Sequence, residues 1–315
     1  MLDVMTIGEC MVVFAPTEKV TIKYAHTMGK RVAGAESNTA IGLTKLGKKA
    51  GWFSRIGDDS FGEYIVHELG GHGVDTSSVI VCESLPTGIM FKEPTIDQQT
   101  SVYYYRKGSA ASAMSKSDLP FEQIKNTKIL LISGVTPALS DSCCETIFEA
   151  VNFAKQNNIT VCFDPNVRLK LWGEAKAKEV LNKILALSDI VLLGDDEAQI
   201  LLGTKQPEII ISKLKELGVS KIAVKLSENG AVVADEFETH RIPVVTATVV
   251  DTIGAGDAFN AGFLYGILEN KSIKESGEIA AIMGACAVST MGDIEGLPSK
   301  KQLDVVLNNE VKIYR

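Results

Sequence analysis

The residues best suited to chemistry lie towards the carboxyl end of the chain, in the segment VVDTIGAGDAFNAGF (249–263). Three small residues, Gly254, Ala255 and Gly256, precede Asp257, and the apolar spacing beyond them predicts a helix that begins at Asp257. Glycine lets the backbone approach an anion closely, and the first N–H groups of a helix have no partner within it. A carboxylate placed there can accept the proton of a hydroxyl group that attacks a phosphate. The segment predicts phosphate chemistry, with an ordinary helix cap after a glycine turn as the alternative.

Two better-known phosphate-binding motifs fit the sequence poorly. A dinucleotide-binding G-x-G-x-x-G motif would need glycine at Phe259, and it would follow the first strand of the chain. The segment GLTKLGKK (42–49) resembles a P-loop, but Lys49 stands where that loop needs serine or threonine for Mg²⁺. We predict that this segment is the end of an amphipathic helix. An apolar, strand-like run that stops at Asp251 is predicted to precede the glycine turn.

The elements that must position this turn alternate between strands and helices. Strands are predicted at 4–8, 50–57, 128–133, 159–164, 189–193 and 221–225. Helices are predicted at 36–46, 60–73, 141–157, 174–187, 197–202, 207–217, 257–268, 272–289 and 299–307. This alternation predicts an α/β fold whose mostly parallel sheet is covered by helices on both faces. Alternating runs at 87–93 and 100–106 predict a hairpin, which together with residues 20–32 would form a separate small β element.

Composition and charge argue against several classes of protein. The 315 residues carry 32 basic and 39 acidic side chains, and the net charge of −7 disfavours a general nucleic-acid binder or a ligand of anionic membranes. The sequence has no run of about 18 apolar residues, and MLDVMTIGEC (1–10) lacks the basic and apolar regions typical of a signal peptide, so we expect a cytoplasmic protein without a membrane partner. The six cysteines lack C-x-x-C spacing and the four histidines lack ligand spacing, so we expect buried thiols and no zinc.

Three segments in matching order carry a resemblance to a known family. They are RVAGAESNTAIGLTKLG (31–47), RIGDDSFGE (55–63) and DTIGAGDAF (251–259). In these segments the chain resembles the ribokinase-like (PfkB) carbohydrate kinases, and the match extends over nearly its whole length. The resemblance implies one kinase domain over 1–315, with a three-layer α/β core, a mostly parallel central sheet and a small β lid from segments near 10–33 and 86–107. It also implies ATP with Mg²⁺, and a homodimer or higher homo-oligomer.

Within the family, three further stretches resemble the 2-keto-3-deoxygluconate (2-dehydro-3-deoxygluconate) kinases. They are GAESN (34–38), YYRKGSAAS (104–112) and DPNVRLKLW (164–172). The sequence has only six arginines, and the resemblance places Arg106 and Arg168 at the carboxylate end of a sugar acid. A guanidinium binds a carboxylate in a bidentate manner and stays charged when partly buried. A surface salt bridge is the alternative for either arginine taken alone.

The resemblance also distributes roles among individual residues. Asp257 would act as the general base for the 6-hydroxyl of the sugar acid, and the N–H groups around Gly254, Ala255 and Gly256 would stabilise the developing charge. The implied substrate-binding residues are Gly34, Ala35, Glu36, Asn38, Tyr104, Arg106 and Arg168. The implied nucleotide-binding residues are Lys225, Ser227, Gly230, Glu197, Gly254 and Gly256. Mg²⁺ would be held mainly by ATP, with Glu197 as a partner through water and no direct protein ligand.

Several positions depart from the family pattern. Gly194 replaces an asparagine three residues before Glu197, Met90 replaces a tyrosine, Ser227 stands where glycine is frequent, and Ala281 stands where an asparagine is often found. Asp293 is open to two readings: a contact of the substrate or of a monovalent-cation loop, or a solvated acid. Two alternatives to a sugar-acid kinase also stay open. One is a fructokinase or another neutral-sugar or nucleoside kinase, and the other is a non-catalytic sugar-acid sensor.

Overall fold

The computed structural model describes residues 1–94 and 100–307. Its strands are β1 (Leu2–Ile7), β2 (Met11–Pro16), β3 (Met28–Ala33), β4 (Ala50–Phe53), β5 (Arg55–Gly57), β6 (Ile80–Cys82), β7 (Ile89–Pro94), β8 (Thr100–Tyr105), β9 (Thr127–Ser133), β10 (Thr160–Asp164), β11 (Ile190–Gly194), β12 (Lys221–Lys225), β13 (Ala231–Ala234) and β14 (Thr239–Ile242). Its α-helices are α1 (Ala35–Lys45), α2 (Ser60–Gly71), α3 (Phe121–Lys125), α4 (Asp141–Gln156), α5 (Glu174–Leu185), α6 (Asp195–Leu202), α7 (Pro207–Glu216), α8 (Ala255–Leu268), α9 (Ile273–Val288) and α10 (Lys300–Leu307).

Eight strands form the central sheet, in the order β14-β13-β12-β11-β10-β9-β1-β4. The pairs from β4 to β12 are parallel, whereas β13 runs antiparallel to both of its neighbours. Side chains alternate between the two faces, so Ile129 and Leu131 of β9 join one apolar core while Leu130 and Ile132 join the other. Helices α1, α2, α8, α9 and α10 pack on the first face and α3 to α7 on the second. The predicted layered α/β fold is confirmed.

A second, separate sheet has four strands in the order β3-β2-β7-β8, and we call it the small sheet. Its β2–β3 and β7–β8 pairs are antiparallel, and β2 and β7 join them in parallel. The predicted β region at 20–32 becomes a strand only from Met28, because residues 22–24 form a 3₁₀ turn whose Ile22 N–H donates to Glu93 Oε2 over 2.7 Å. Residues 95–99, most of the predicted link between β7 and β8, lie outside the described residues.

Two sequence predictions need correction. The strand predicted at 50–57 is divided, because β4 pairs with β1 in the central sheet whereas β5 pairs with β6. The strand-like run before Asp251 is not a strand: Val249 and Val250 are 63% and 52% exposed, and the Val250 N–H donates to the carbonyl of Val288 instead of to a neighbouring strand. Across 1–94 and 100–307, no helix combines the length and apolarity that crossing a bilayer requires.

Candidate active site

A cleft of about 480 Å³ opens where the carboxyl ends of the parallel strands meet the small sheet. Ligands of open parallel sheets bind at this edge because the loops that leave the strands surround a crevice there. The central sheet contributes Glu9 after β1, Asp164 of β10, Gly194 of β11 and Lys225 of β12. The small sheet faces them with Met90, Lys92, Tyr104 and Arg106 on or beside its strands. The starts of α1 and α8 add Gly34, Ala35, Asn38, Gly254, Gly256 and Asp257 to the lining.

The turn before α8 has the backbone geometry that its glycines suggested. Gly254 is the N-cap of α8 and has φ of 82°, in the left-handed region that glycine adopts without steric cost. A Cβ there would lie 2.5 Å from the carbonyl oxygen of Asp293, so no larger residue fits. Ala255 begins α8, two residues before the predicted start. Within the described residues, the N–H groups of Gly256 and Asp257 have no hydrogen-bond acceptor, which leaves two donors at a helix N-terminus for an anion.

Helix α1 brings a second predicted residue against Asp257. The buried Asn38 amide donates through Nδ2 to Asp257 Oδ2 over 2.8 Å, and the neighbouring Thr39 hydroxyl donates to the Asp257 carbonyl over 3.3 Å. One helical turn further along each helix, a Cβ on Gly42 would lie 2.6 Å from the Cβ of Ala261. The two helices therefore pack without a side chain between them, and this contact sets the distance from Asn38 to Asp257.

The ionisation of Asp257 is strongly perturbed. Burial, together with the nearby acids Asp164 and Asp293, raises the pKa of this carboxyl to about 8, against the hydrogen bond from Asn38 and the charge of Lys225. A carboxylate whose pKa lies near neutrality can both take up and release a proton at physiological pH. The perturbed pKa of Asp257 therefore suits this carboxyl to proton transfer.

A buried polar network flanks Asp257 at the ends of β10 and β12. Lys225 Nζ donates to Asp164 Oδ1 over 3.4 Å and to Asn260 Oδ1 over 3.3 Å, and the Asn260 amide donates to Asp164 Oδ2 over 2.8 Å. Burial lowers the pKa of Lys225, but Asp164, Glu197 and Asp257 outweigh it and leave that pKa raised. Lys225 is therefore a fixed positive charge beside Asp257.

Glu197 lies against the same network. Its carboxylate accepts the N–H groups of Gly194 over 2.7 Å and Val167 over 2.9 Å, while burial and then Asp164 raise its pKa. These two hydrogen bonds fix the carboxylate at the start of α6, where it lines the cleft.

The two predicted carboxylate-binding arginines differ sharply in environment. Arg106 is 8% exposed, forms an ion pair with the buried Glu9, and lies 5.6 Å from the centre of the Tyr104 ring. The other oxygen of Glu9 accepts the Ser109 hydroxyl over 2.6 Å, so both groups are held in place. Arg168 is exposed and makes no ion pair with another residue of the described ranges. Arg106 is thus a buried residue of the cleft lining, whereas Arg168 is exposed and its charge is free to bind a ligand.

Arg106 and Arg168 also line a second, outer cleft of about 940 Å³ that shares residues with the first. Lys107 and Lys170 line it as well, and its described lining contains no carboxylate. Since Glu9 balances the charge of Arg106, the positive charges of Arg168, Lys107 and Lys170 remain to attract an anion to this opening, although the chain as a whole carries a net charge of −7.

Comparison with known proteins places this chain in a family. The model of the pfkB family carbohydrate kinases matches residues 1–300. The chain belongs to this family. It is 35% identical over 321 residues to a 2-dehydro-3-deoxygluconokinase of Bacillus subtilis, covering 100% of this chain and 98% of that protein. Among solved structures, a PfkB protein from Polaromonas has TM-score 0.89 and 33% identity, covering 96% of this chain and 99% of that one. A sugar kinase from Pyrococcus horikoshii, solved in complex with ATP, has TM-score 0.81 and 28% identity, covering 95% and 96%. The protein is therefore a carbohydrate kinase, an enzyme that transfers phosphate to an alcohol group.

Not every predicted site residue of this PfkB kinase faces the cleft. The Glu36 carboxylate accepts the hydroxyls of Ser133 over 2.6 Å and Thr136 over 2.7 Å, and it lies so close to Gly8 that a Cβ there would overlap it. Burial raises its pKa, against those two hydrogen bonds. In this structure Glu36 braces α1 against the end of β9 and does not line the cleft.

The predicted nucleotide residues Ser227 and Gly230 lie at the β12–β13 turn of the PfkB kinase, outside the lining of the cleft. Ser227 is exposed and has φ of 50°, which explains why glycine suits this position. Gly230 has φ of 80°, and a Cβ there would overlap the carbonyl oxygen of Ile242. Ala281 is partly buried within α9 and packs against the core.

Sequence reasoning missed three charged residues of the kinase cleft. Glu9 and Asp164 each stand at or just after the carboxyl end of a central strand, a position that could have identified both. Lys92 lies on β7 and forms an ion pair with Asp293 across the cleft wall, at 2.5 Å. That pair joins residues 201 apart in the sequence, and no local pattern signals it.

The open question about Asp293 is answered in part: it is a buried residue of the cleft and not a solvated acid.

Proposed function

We propose that this PfkB kinase phosphorylates the 6-hydroxyl of 2-dehydro-3-deoxygluconate, using ATP and with Asp257 as the general base. The proposal rests on one observation that has two parts. Asp257, whose pKa is raised, lies beside two N–H groups without acceptors, and the same cleft is lined by Arg106 and Arg168. The first part suits phosphate transfer from ATP, and the second suits a substrate with a carboxylate at its other end. The relative from Bacillus subtilis, at 35% identity, is named for this substrate.

In the proposed reaction Asp257 accepts the proton of the 6-hydroxyl as that oxygen attacks the γ-phosphorus of ATP. A new O–P bond forms, and the bond from phosphorus to the oxygen bridging to ADP breaks with its electron pair passing to ADP. The N–H groups of Gly256 and Asp257 stabilise the negative charge that develops on the transferring phosphate. Asn38 keeps the Asp257 carboxylate oriented through its 2.8 Å hydrogen bond.

The residues of the cleft fit ATP with Mg²⁺. The two N–H groups at the start of α8 and the positive charge of Lys225 suit the phosphates, and the carboxylates of the half-buried Glu197 and the buried Asp164 suit a hydrated cation. When bound with ATP, Mg²⁺ neutralises charge on the phosphates. We propose that Lys225 and Glu197 hold this end of the site, and that Ser227 and Gly230 contact the nucleotide beyond it.

The carboxylate end of the substrate would lie under the small sheet. Arg168 and Tyr104 are exposed and line the cleft. Arg106 can bind the substrate carboxylate in addition to Glu9, because its guanidinium has five N–H donors and Glu9 does not occupy them all. The small sheet would act as a lid that excludes water, within one kinase domain formed by the whole chain. The cytoplasmic location and the homo-oligomer stay predictions.

The test is ADP release from MgATP with 2-dehydro-3-deoxygluconate, its galactonate epimer, fructose, ribose and adenosine. Turnover confined to the keto-deoxy acids supports the proposal. Turnover with fructose or ribose instead would keep the Asp257 chemistry and refute the role of the arginines. No turnover with any of the five, together with tight binding of the acids, would favour a sensor.

The base is tested separately with Asp257→Asn, which should lower kcat by about 10²–10⁴-fold while ATP and sugar-acid affinities change little. Asp196→Asn is the matched control, since it neutralises an exposed first-turn acid of α6 outside the cleft. Near-normal kcat in Asp257→Asn would refute the assigned base.

A further inference from the structure

A buried ion pair ties the small sheet to the core at the wall of the cleft. Lys92 of β7 is 8% exposed, and its Nζ lies 2.5 Å from Oδ1 of Asp293, which is 7% exposed in the loop between α9 and α10. Both residues line the cleft. In the described part of the chain this pair is a direct charged contact between the small sheet and the loop that borders the catalytic turn.

The contact continues from Asp293 to the catalytic aspartate. Asn38 Nδ2 lies 3.5 Å from Asp293 Oδ2 and donates to Asp257 Oδ2 over 2.8 Å, so one amide lies between the two carboxylates. The carbonyl oxygen of Asp293 also lies against Gly254, where a Cβ would come within 2.5 Å. Asp293 therefore borders both the side chain and the backbone of the turn that bears Asp257.

Charges on several elements act on Asp257 together. Asp164 of β10 and Asp293 raise its pKa, Lys225 of β12 lowers it, and the hydrogen bond from Asn38 of α1 lowers it as well. Burial raises the pKa of Asp293 too, and Lys92 opposes that effect. Removing Lys92 takes one positive charge away from these carboxylates. The pKa of the last carboxylate in the group to ionise would therefore rise.

We propose that Lys92 is a positioning residue for the phosphate transfer: it holds and neutralises Asp293 from the small sheet, which keeps the Asn38 amide on Asp257 and keeps excess negative charge away from the base. This inference rests on the proposed role of Asp257. On this proposal, the ability of Asp257 to accept a proton depends on the small sheet being in place over the cleft. Lys92 needs no contact with substrate to exert this effect.

The experiment compares pH profiles of kcat and kcat/KM for Lys92→Met, Asp293→Asn and the double variant. Lys92→Met should move the rising limb of kcat/KM upward by about one pH unit, a loss of about tenfold at pH 7 that recovers at high pH. Asp293→Asn should move the limb in the opposite direction, and the double variant should return to within about threefold of the parent activity. Lys92→Arg, which keeps the charge, should keep the parent profile. Lys30→Met is the matched control, since Lys30 is an exposed lysine of β3 outside the cleft.

Four results would overturn the inference. A rise in KM for ATP or for the sugar acid with an unchanged pH profile would make Lys92 a ligand-binding residue. Losses that are independent of pH and multiply in the double variant would make the pair merely structural. Asp257→Asn separates the two proposals: if it is inactive while Lys92→Met keeps the parent profile, only this inference fails, whereas an active Asp257→Asn removes the base on which both depend.

Discussion

The unequal burial of Arg106 and Arg168 predicts that their removal has separable effects. Arg168→Met removes an exposed charge, so KM for the sugar acid should rise by about tenfold, which corresponds to about 1.5 kcal/mol, the low end for a charge-assisted hydrogen bond. Arg106→Met removes a buried charge with the same expected role, and its KM should rise by up to about 100-fold. Since both arginines would bind the ground state and the transition state alike, kcat should change little.

Stability should separate the two variants. Arg106→Met leaves Glu9 buried and without its ion-pair partner, which should lower the free energy of unfolding by about 3–5 kcal/mol. Arg168→Met leaves no such orphan and should change it by less than about 0.5 kcal/mol. Adding Glu9→Gln to Arg106→Met removes the orphaned charge, so the double variant should regain most of the lost stability while its KM stays high.

The assays are steady-state kinetics with coupled detection of ADP and equilibrium unfolding in urea. Arg241→Met on the edge strand β14 is the matched control, because it removes an exposed arginine far from the cleft lining. KM for MgATP, measured in the same assays, gives the second control. The assignment of the arginines to the substrate carboxylate fails if Arg168→Met leaves KM for the acid unchanged, or if KM for MgATP rises equally.

Three further outcomes are expected. Because the pKa of Asp257 is raised to about 8, kcat/KM should rise about tenfold from pH 6 to 7, about fivefold from pH 7 to 8 and then level off, and a flat profile over this range would contradict the base. A raised pKa in the folded state means that the Asp257 contribution to stability is present below its ordinary pKa and is lost as the pH rises towards 8. Asp257→Asn should therefore raise Tm more at pH 8 than at pH 4, and an equal change at both would refute the shift. Ser227→Gly relieves a positive φ of 50° and should stabilise the fold by about 0.5–1 kcal/mol in urea unfolding, and an unchanged or lower midpoint would show that Ser227 is unstrained.

Local patterns predicted the fold and the glycine turn before α8. Alternating strands and helices are written in the sequence, and the glycine at 254 is required by a positive φ and a close backbone contact that any residue with a Cβ would disturb. The apolar residues 249–250 led to the wrong prediction of a strand. A strand also needs a neighbouring strand to pair with, and here the backbone instead forms hydrogen bonds with the end of α9. The short strands β6, β13 and β14 were missed because each has only three or four residues.

The charged side chains of the site were predicted less completely. Arg106 and Asp257 stand in recognisable segments, but their partners Glu9 and Asn38 are brought to them from distant parts of the chain. Glu36 lies in a recognisable segment too, yet its side chain turns towards Ser133. Sequence position fixes where the backbone of such a residue lies, whereas long-range packing decides which way its charge points.

The close contact between Gly42 and Ala261 means that the two sides of the cleft differ in how readily they can change during evolution. With only 2.6 Å between a Cβ at Gly42 and that of Ala261, even one added methyl group would push apart the helices that carry Asn38 and Asp257. The opposite wall is built differently, since Met90 is a flexible thioether and Tyr104 is 41% exposed. A lineage that acquires a new substrate would therefore accumulate its changes on the small sheet, and directed evolution of specificity would find its productive positions there.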